Sequence, residues 1–129
     1  MSKEVVRTDS APAPFQGAPY SQAIKANGFV FVSGQLGLRP GEQELVPGGI
    51  AEQTEQVFAN LRAVLAAAGS GLDRLVKTTV FLQSLGDFAA MNEVYARHVA
   101  TAPPARSTVE VAKLPSGALV EIEAVALAD

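Results

Sequence analysis

The stretch PPARSTVEVAKLP, Pro103 to Pro115, is the most informative part of the chain. Pro103 and Pro104 stop any helix that precedes them, because a proline ring disfavours helical geometry at the residue before it. From Arg106 to Val111 the polarity alternates. In a strand, Arg106, Thr108 and Glu110 share one face, and Ser107, Val109 and Val111 the other. Arg106 opens this half-apolar strand with a planar, permanently charged fork that matches a carboxylate or phosphate bidentately. A second run, LVEIEAVALA (Leu119 to Ala128), carries Glu121 and Glu123 on one face among apolar residues. A cation and carboxylates in neighbouring strands suit a site for a small organic acid. The apolar neighbours favour burial of one of these glutamates, which raises its pKa or demands a cation, and Arg106 is the expected partner.

Working outward, the segment before Pro103 reads as a helix, with Phe88, Met91, Tyr95, His98 and Val99 in one stripe and Asp87 or Ser84 as its cap. LVKTTVFL, Leu75 to Leu82, is rich in β-branched residues and reads as a strand. A longer helix precedes it. Ile50, Thr54, Val57, Phe58, Leu61, Val64, Leu65 and Ala68 repeat at helical spacing, Glu52 and Glu55 favour its N-terminal dipole, and Gly69 ends it. Asn27-Gly28 joins two apolar runs, Tyr20 to Ala26 and Phe29 to Ser33, as a hairpin, because both turn residues tolerate positive φ. Lys3 to Thr8 reads as a short edge strand, and the prolines at 12, 14 and 19 make a loop without ladder donors. The order is ββ(β)–α–β–α–ββ, which predicts an α+β domain over residues 1–129 with both helices on one face of a mixed sheet. The other face then needs a cover, and another copy of the chain is the economical one.

Composition supports that expectation. Hydrophobic residues make up 48% of the 129 positions, rich for a small domain that must expose most of its surface. The net charge is −3 and no basic run exists, which argues against nucleic acid as a partner. There is no cysteine, so no disulfide, thiolate nucleophile or thiolate metal site. No apolar stretch approaches membrane-spanning length, and the first ten residues lack the apolar core of a signal peptide. The expectation is a cytoplasmic protein without membrane contact.

Among single residues, Ser33-Gly34-Gln35 follows an apolar strand. It reads as a strand end with a turn, or as backbone N–H groups offered to an anion. It is no nucleophile elbow, since position 31 is Phe. His98, the lone histidine, reads as a packed residue, and with no second His or any Cys a transition-metal site is not expected. Lys77 reads as a partly exposed structural lysine rather than a Schiff-base former. Tyr20 stands where a loop enters a strand and either packs or touches ligand. Asn92, mid-helix beside the apolar stripe, needs a partner, which is either a loop or a ligand.

The segments APYSQA (Ala18 to Ala23), FVSGQ (Phe31 to Gln35), VKTTVFL (Val76 to Leu82), DFAAMNEVY (Asp87 to Tyr95), PPARSTVEVAKLP and VEIEAVA (Val120 to Ala126) resemble, in order and over nearly the whole chain, the RidA family of reactive intermediate deaminases, also called YjgF. The resemblance implies a chorismate-mutase-like fold and a homotrimer whose sheets form a central barrel with three sites at subunit clefts. It implies hydrolysis of 2-imino acids or their enamine tautomers, typically 2-iminobutanoate and 2-iminopropanoate, to 2-keto acids and ammonia. By the same resemblance Arg106 grips the substrate carboxylate and Glu121 holds or activates the attacking water. Tyr20 and Asn92 line the pocket, and Ser33 and Gly34 add hydroxyl or backbone contacts. Thr108 stands where many relatives have Cys, and Ala18 where Gly often precedes Pro-Tyr, with a slightly longer loop from Pro12 to Gly17 at the pocket rim.

A protonated imine is already electrophilic, so the chemistry needs a positioned substrate and water and no metal or organic cofactor. The competing readings are a non-catalytic trimer that binds small carboxylates or acts as a stress-related holdase, an endoribonuclease, and, by fold analogy alone, a chorismate mutase.

Overall fold

The computed structural model describes residues 2–128; residues 1 and 129 of the expected domain lie outside them. Six strands form one mixed sheet: β1 (Glu4–Val6), β2 (Ala23–Ala26), β3 (Phe29–Gln35), β4 (Leu75–Leu82), β5 (Ala105–Glu110) and β6 (Val120–Leu127), in the order β1-β2-β3-β6-β4-β5. All neighbours are antiparallel except β4 and β5. Two helices, α1 (Ile50–Ala67) and α2 (Phe88–Val99), complete the α+β architecture.

The local signals act as their chemistry dictates. Asn27 and Gly28 take φ of 56° and 83°, both in the left-handed region a two-residue hairpin turn requires. Glu52 accepts a hydrogen bond from the Gly49 N–H at 2.8 Å and so closes the start of α1, and Gly69 at φ +78° ends the helix. Of the two caps foreseen for α2, the Ser84 hydroxyl accepts from the Gly86 N–H in a short turn that precedes the helix, and Asp87 makes no side-chain cap bond.

The core lies on one side of the sheet. Val30, Val32, Val80, Leu82, Val120, Ile122, Ala124 and Ala126 face Val57, Phe58, Leu61, Val64 and Leu65 of α1 and Met91, Tyr95 and Val99 of α2. Each fully buried large aliphatic or aromatic side chain contributes about 1.5–3 kcal/mol by leaving water. On the opposite face a smaller cluster of Leu36, Leu38, Leu114 and Ala118 packs against Phe81 at one end, and among the described residues the rest is open. Val5, Phe29, Phe31 and Leu127 are exposed there, Phe31 to 45%.

Several expectations change. β2 begins at Ala23 rather than Tyr20, because the proline-rich loop runs on through Pro19, while β3 extends two residues past Ser33. β1 is only Glu4–Val6. Phe88, assigned to the buried stripe of α2, is exposed, and Val94 is buried instead. β5 and β6, consecutive in sequence, are not adjacent. β5 lies outermost, parallel to β4 as the α2 crossover requires, and β6 fills the centre.

Candidate functional site

Arg106 and Glu121 lie on opposite faces of the sheet. Arg106 is paired with Thr78, whose hydroxyl meets the Tyr95 hydroxyl of α2 at 2.6 Å, so Arg106 belongs to the helix side. Glu121 is paired with Phe81, three residues along β4, and shares the open face with Glu123, Val125 and Leu127. The expected Arg106–carboxylate pair is therefore absent within one chain. Register sets this, since alternate residues of a strand point to opposite faces.

On the helix side, the Arg106 guanidinium carbon stands 4.7 Å from the Tyr95 ring centre and 5.4 Å from that of Phe88. Among the described residues no carboxylate and no hydrogen bond engages it. It borders a cleft of about 560 Å³ with Asn92, Tyr95, Val99 and Pro103. Asn92 Oδ1 is buried without a hydrogen-bond partner, and so is the Thr108 hydroxyl two residues beyond Arg106 on the same face. Polar atoms buried unpaired are costly, and here they flank a free cation.

On the open face, Glu121 reaches across to β3 where its register shifts between Val32 and Gln35. Gly34 occupies that irregularity. A Cβ there would overlap the Glu121 carboxylate and lie only 2.8 Å from its Cδ, so glycine is what admits the side chain. Burial, and secondarily the charge of Glu123, raise the Glu121 pKa from its ordinary value. Ser33 holds the neighbouring loop, its hydroxyl donating to the Ser21 carbonyl at 2.6 Å and its N–H to the Gln22 carbonyl at 3.0 Å. Tyr20 is exposed at that loop, and its hydroxyl oxygen accepts from the Phe15 N–H at 2.6 Å, leaving the phenolic proton free to donate.

The structure thus gathers Tyr20, Ser33, Gly34 and Glu121 in one region and Asn92, Arg106 and Thr108 in another. His98 is packed, stacked on Phe58 at 4.5 Å and bonded to Glu55 at 2.6 Å, and Lys77 is exposed on the open face beside Glu123. No group of three or more potential His, Asp or Glu metal ligands occurs among the described residues. No described helix is long and apolar enough to cross a membrane. The sequence reading missed Phe88 and Tyr95 as neighbours of Arg106. Their seven-residue spacing, with Asn92 between them, was the available signal, since it places all three on one side of α2.

A model of the family described as endoribonuclease L-PSP matches residues 8–128. A RutC family protein of Pyrococcus horikoshii is 50% identical over 96% of this chain and 97% of its own. The 2-iminobutanoate/2-iminopropanoate deaminase of Mus musculus is 43% identical over 97% of this chain and 91% of its own. The crystal structure of E. coli TdcF with bound serine superposes with a TM-score of 0.88 at 36% identity, covering 96% of this chain and 98% of that one.

Proposed function

Since the chain belongs to the endoribonuclease L-PSP family, the RidA and YjgF group, we propose that it is a hydrolytic deaminase, converting 2-imino acids such as 2-iminobutanoate and 2-iminopropanoate to 2-keto acids and ammonia. The observation that carries this reading is Arg106, a cation with no acid partner among the described residues, held at a cleft beside the unsatisfied Asn92 Oδ1. A carboxylate bound there receives the guanidinium fork. The mammalian relative named for this activity supports the substrate class, and the serine-bound TdcF supports a small amino-acid-like ligand.

Glu121 supplies the other half. Its raised pKa puts it nearer neutrality than an ordinary carboxyl, which suits a group that both takes and returns a proton. The ionised carboxylate accepts a proton as water adds to the imine carbon. It then returns that proton to the nitrogen as the carbon–nitrogen bond of the tetrahedral adduct breaks. The adduct's hydroxyl proton passes to the freed carboxylate as the carbonyl forms and from there to the departing ammonia, so that protonated imine and water become ketone and ammonium with no other reactant.

Arg106 and Glu121 meet only if two copies of the chain contribute to one site. We therefore place the chemistry in a homotrimer with a chorismate-mutase-like barrel of sheets, whose open, apolar faces cover one another. Exposed Phe29, Phe31, Leu127 and Val5 support that arrangement. Tyr20, Ser33 and Gly34 then stand beside Glu121, and Asn92 and Thr108 beside the Arg106 of a neighbour. The assembly needs neither nucleic acid nor membrane, and a cytoplasmic setting, where amino-acid-degrading enzymes release such imines, fits the chemistry.

The test is a coupled assay in which an amino-acid dehydratase or oxidase generates the imine in situ and keto-acid release is followed with and without the protein. Acceleration supports the reading. No acceleration over several imino acids moves the function to the second reading, a binder of small carboxylates, which the serine-bound relative favours. Glu121→Gln separates the two, abolishing turnover but sparing ligand binding. The family's name also invokes RNA cleavage, but a net charge of −3 without basic clusters argues against it.

A further inference from the structure

Long cationic side chains on an edge strand sample many rotamers unless something holds them. A carboxylate partner would hold Arg106 but would also occupy the fork that the substrate needs. Two ring faces of α2 take that role instead, Tyr95 at 4.7 Å and Phe88 at 5.4 Å. An aromatic face attracts the guanidinium without consuming its N–H groups.

Tyr95 is itself immobilised. Its hydroxyl is hydrogen-bonded to Thr78 at 2.6 Å in the buried layer, and its ring meets Phe58 edge-on at 5.4 Å and 80°. Thr78 is the residue directly paired with Arg106 across β4 and β5. The platform is therefore pinned to the same rung of the sheet that carries the cation. Phe58 is fixed in turn by the His98 ring stacked on it, which Glu55 holds from the helix surface.

We propose that Tyr95 is a positioning residue for the carboxylate anchor: locked by Thr78, its ring fixes where the Arg106 guanidinium stands. The proposal rests on the reading of Arg106 as that anchor. Phe88, exposed and 5.4 Å from the guanidinium carbon, is the second and weaker wall.

Two readouts test it on the full-length protein: coupled-assay kinetics, and the NMR signal of the Arg106 Nε–Hε group, assigned by its loss in Arg106→Lys. In the native chain ring currents from Tyr95 and Phe88 are expected to displace that signal upfield. Tyr95→Leu is expected to raise KM about 10-fold with kcat within about 3-fold, and to return the signal towards its ordinary position. Tyr95→Phe, which keeps the ring but loses its lock, is expected to fall between native and Tyr95→Leu. Thr78→Val and Tyr95→Phe remove the two ends of one hydrogen bond, so their combined KM effect is expected to be no larger than the greater single one. A folded Tyr95→Leu with native KM and an unmoved signal overturns the proposal, as does a Tyr95→Phe variant as impaired as Tyr95→Leu. If Tyr95→Leu does not fold, Phe88→Ala at the exposed ring must still raise KM by about 3-fold, and an unchanged KM overturns the proposal. If the native chain deaminates no imino acid, the functional reading fails separately. The platform is then judged by the NMR signal and by 2-oxobutanoate affinity, which Tyr95→Leu must weaken about 10-fold.

Discussion

Arg106→Ala separates site chemistry from stability more cleanly than any other substitution. Within the chain the guanidinium touches two ring faces and no acid, so its removal forfeits a partly exposed cation–π contact. That costs about 1 kcal/mol, or about 4 °C in Tm for a chain of this size. The substrate loses far more. A charge-assisted hydrogen bond contributes about 1.5–3 kcal/mol, and a bidentate grip offers two of them. The cleft at Arg106 is open, so water screens the pair and the two bonds together contribute about as much as one strong bond of this kind. A loss of about 2.7 kcal/mol corresponds to about 10²-fold in kcat/KM. Arg106→Lys keeps the charge but loses the fork, and is expected to fall between native and Ala. The assay is keto-acid release from imine generated in situ, run beside thermal melts of each variant. A well-folded Arg106→Ala protein with kcat/KM within about 3-fold of native would refute the assignment of the anchor, because the described residues that line the cleft include no second cation to take its place.

The Glu121 carboxyl has a raised pKa, so folding favours its protonated form, and the ionised side chain destabilises the fold as pH rises through the ordinary carboxylate range towards the raised value. Glu121→Gln should therefore melt at or below the native temperature at acidic pH and above it at neutral pH, while deaminase activity falls at least about 10²-fold; melts across pH and the coupled assay check both. Gly34→Ala puts a methyl group where the Glu121 carboxylate lies, so the side chain must swing away; the expected result is a folded protein with loss of activity approaching that of Glu121→Gln, read in the same assay. Thr108→Val removes a buried hydroxyl that has no partner; unfolding in urea should show stability unchanged or raised by about 1 kcal/mol. Phe31→Glu places a charge in the centre of the open face, and light scattering should show a native mass that matches the proposed trimer and a variant mass reduced to that of the single chain, with the proposed deaminase activity lost in parallel.

Much of the fold was legible because local chemistry decides it. The Asn27-Gly28 turn, the stripe of α1, its Gly69 terminus and the β-branched run of β4 depend on residues within a few positions of one another. Strand order was not legible, because β6 enters between β3 and β4 through contacts distant in sequence. The alternation in Arg106 to Val111 correctly divided the strand into two faces but could not say which one meets the helices. Convention turns the apolar side inward, yet Val109 is 42% exposed while Arg106 and Thr108 lie towards α2. The same ambiguity produced the expected pairing of Arg106 with a glutamate, which the register of β4 with both its neighbours forbids.

These two departures have one physical cause if the proposed assembly is right. A strand whose apolar residues face away from its own core, and a cation and a carboxylate divided between the faces of one sheet, are both anomalous in an isolated chain. Neither is anomalous when the open face is an interior one. Exposed Phe31 and Leu127 then become core residues of a larger unit, and the raised pKa that burial already gives Glu121 rises further as a neighbour removes its remaining water. The proposed assembly therefore couples catalysis to association. A substitution on the open face far from any reacting atom should abolish turnover, and it should do so without weakening the packing of α1 and α2 on the other side of the sheet. Activity that survived dissociation to a single chain would show instead that Arg106 works without Glu121, and would transfer the water-activating role to a group on the helix side, where Asn92 and Thr108 are the polar side chains with unsatisfied atoms.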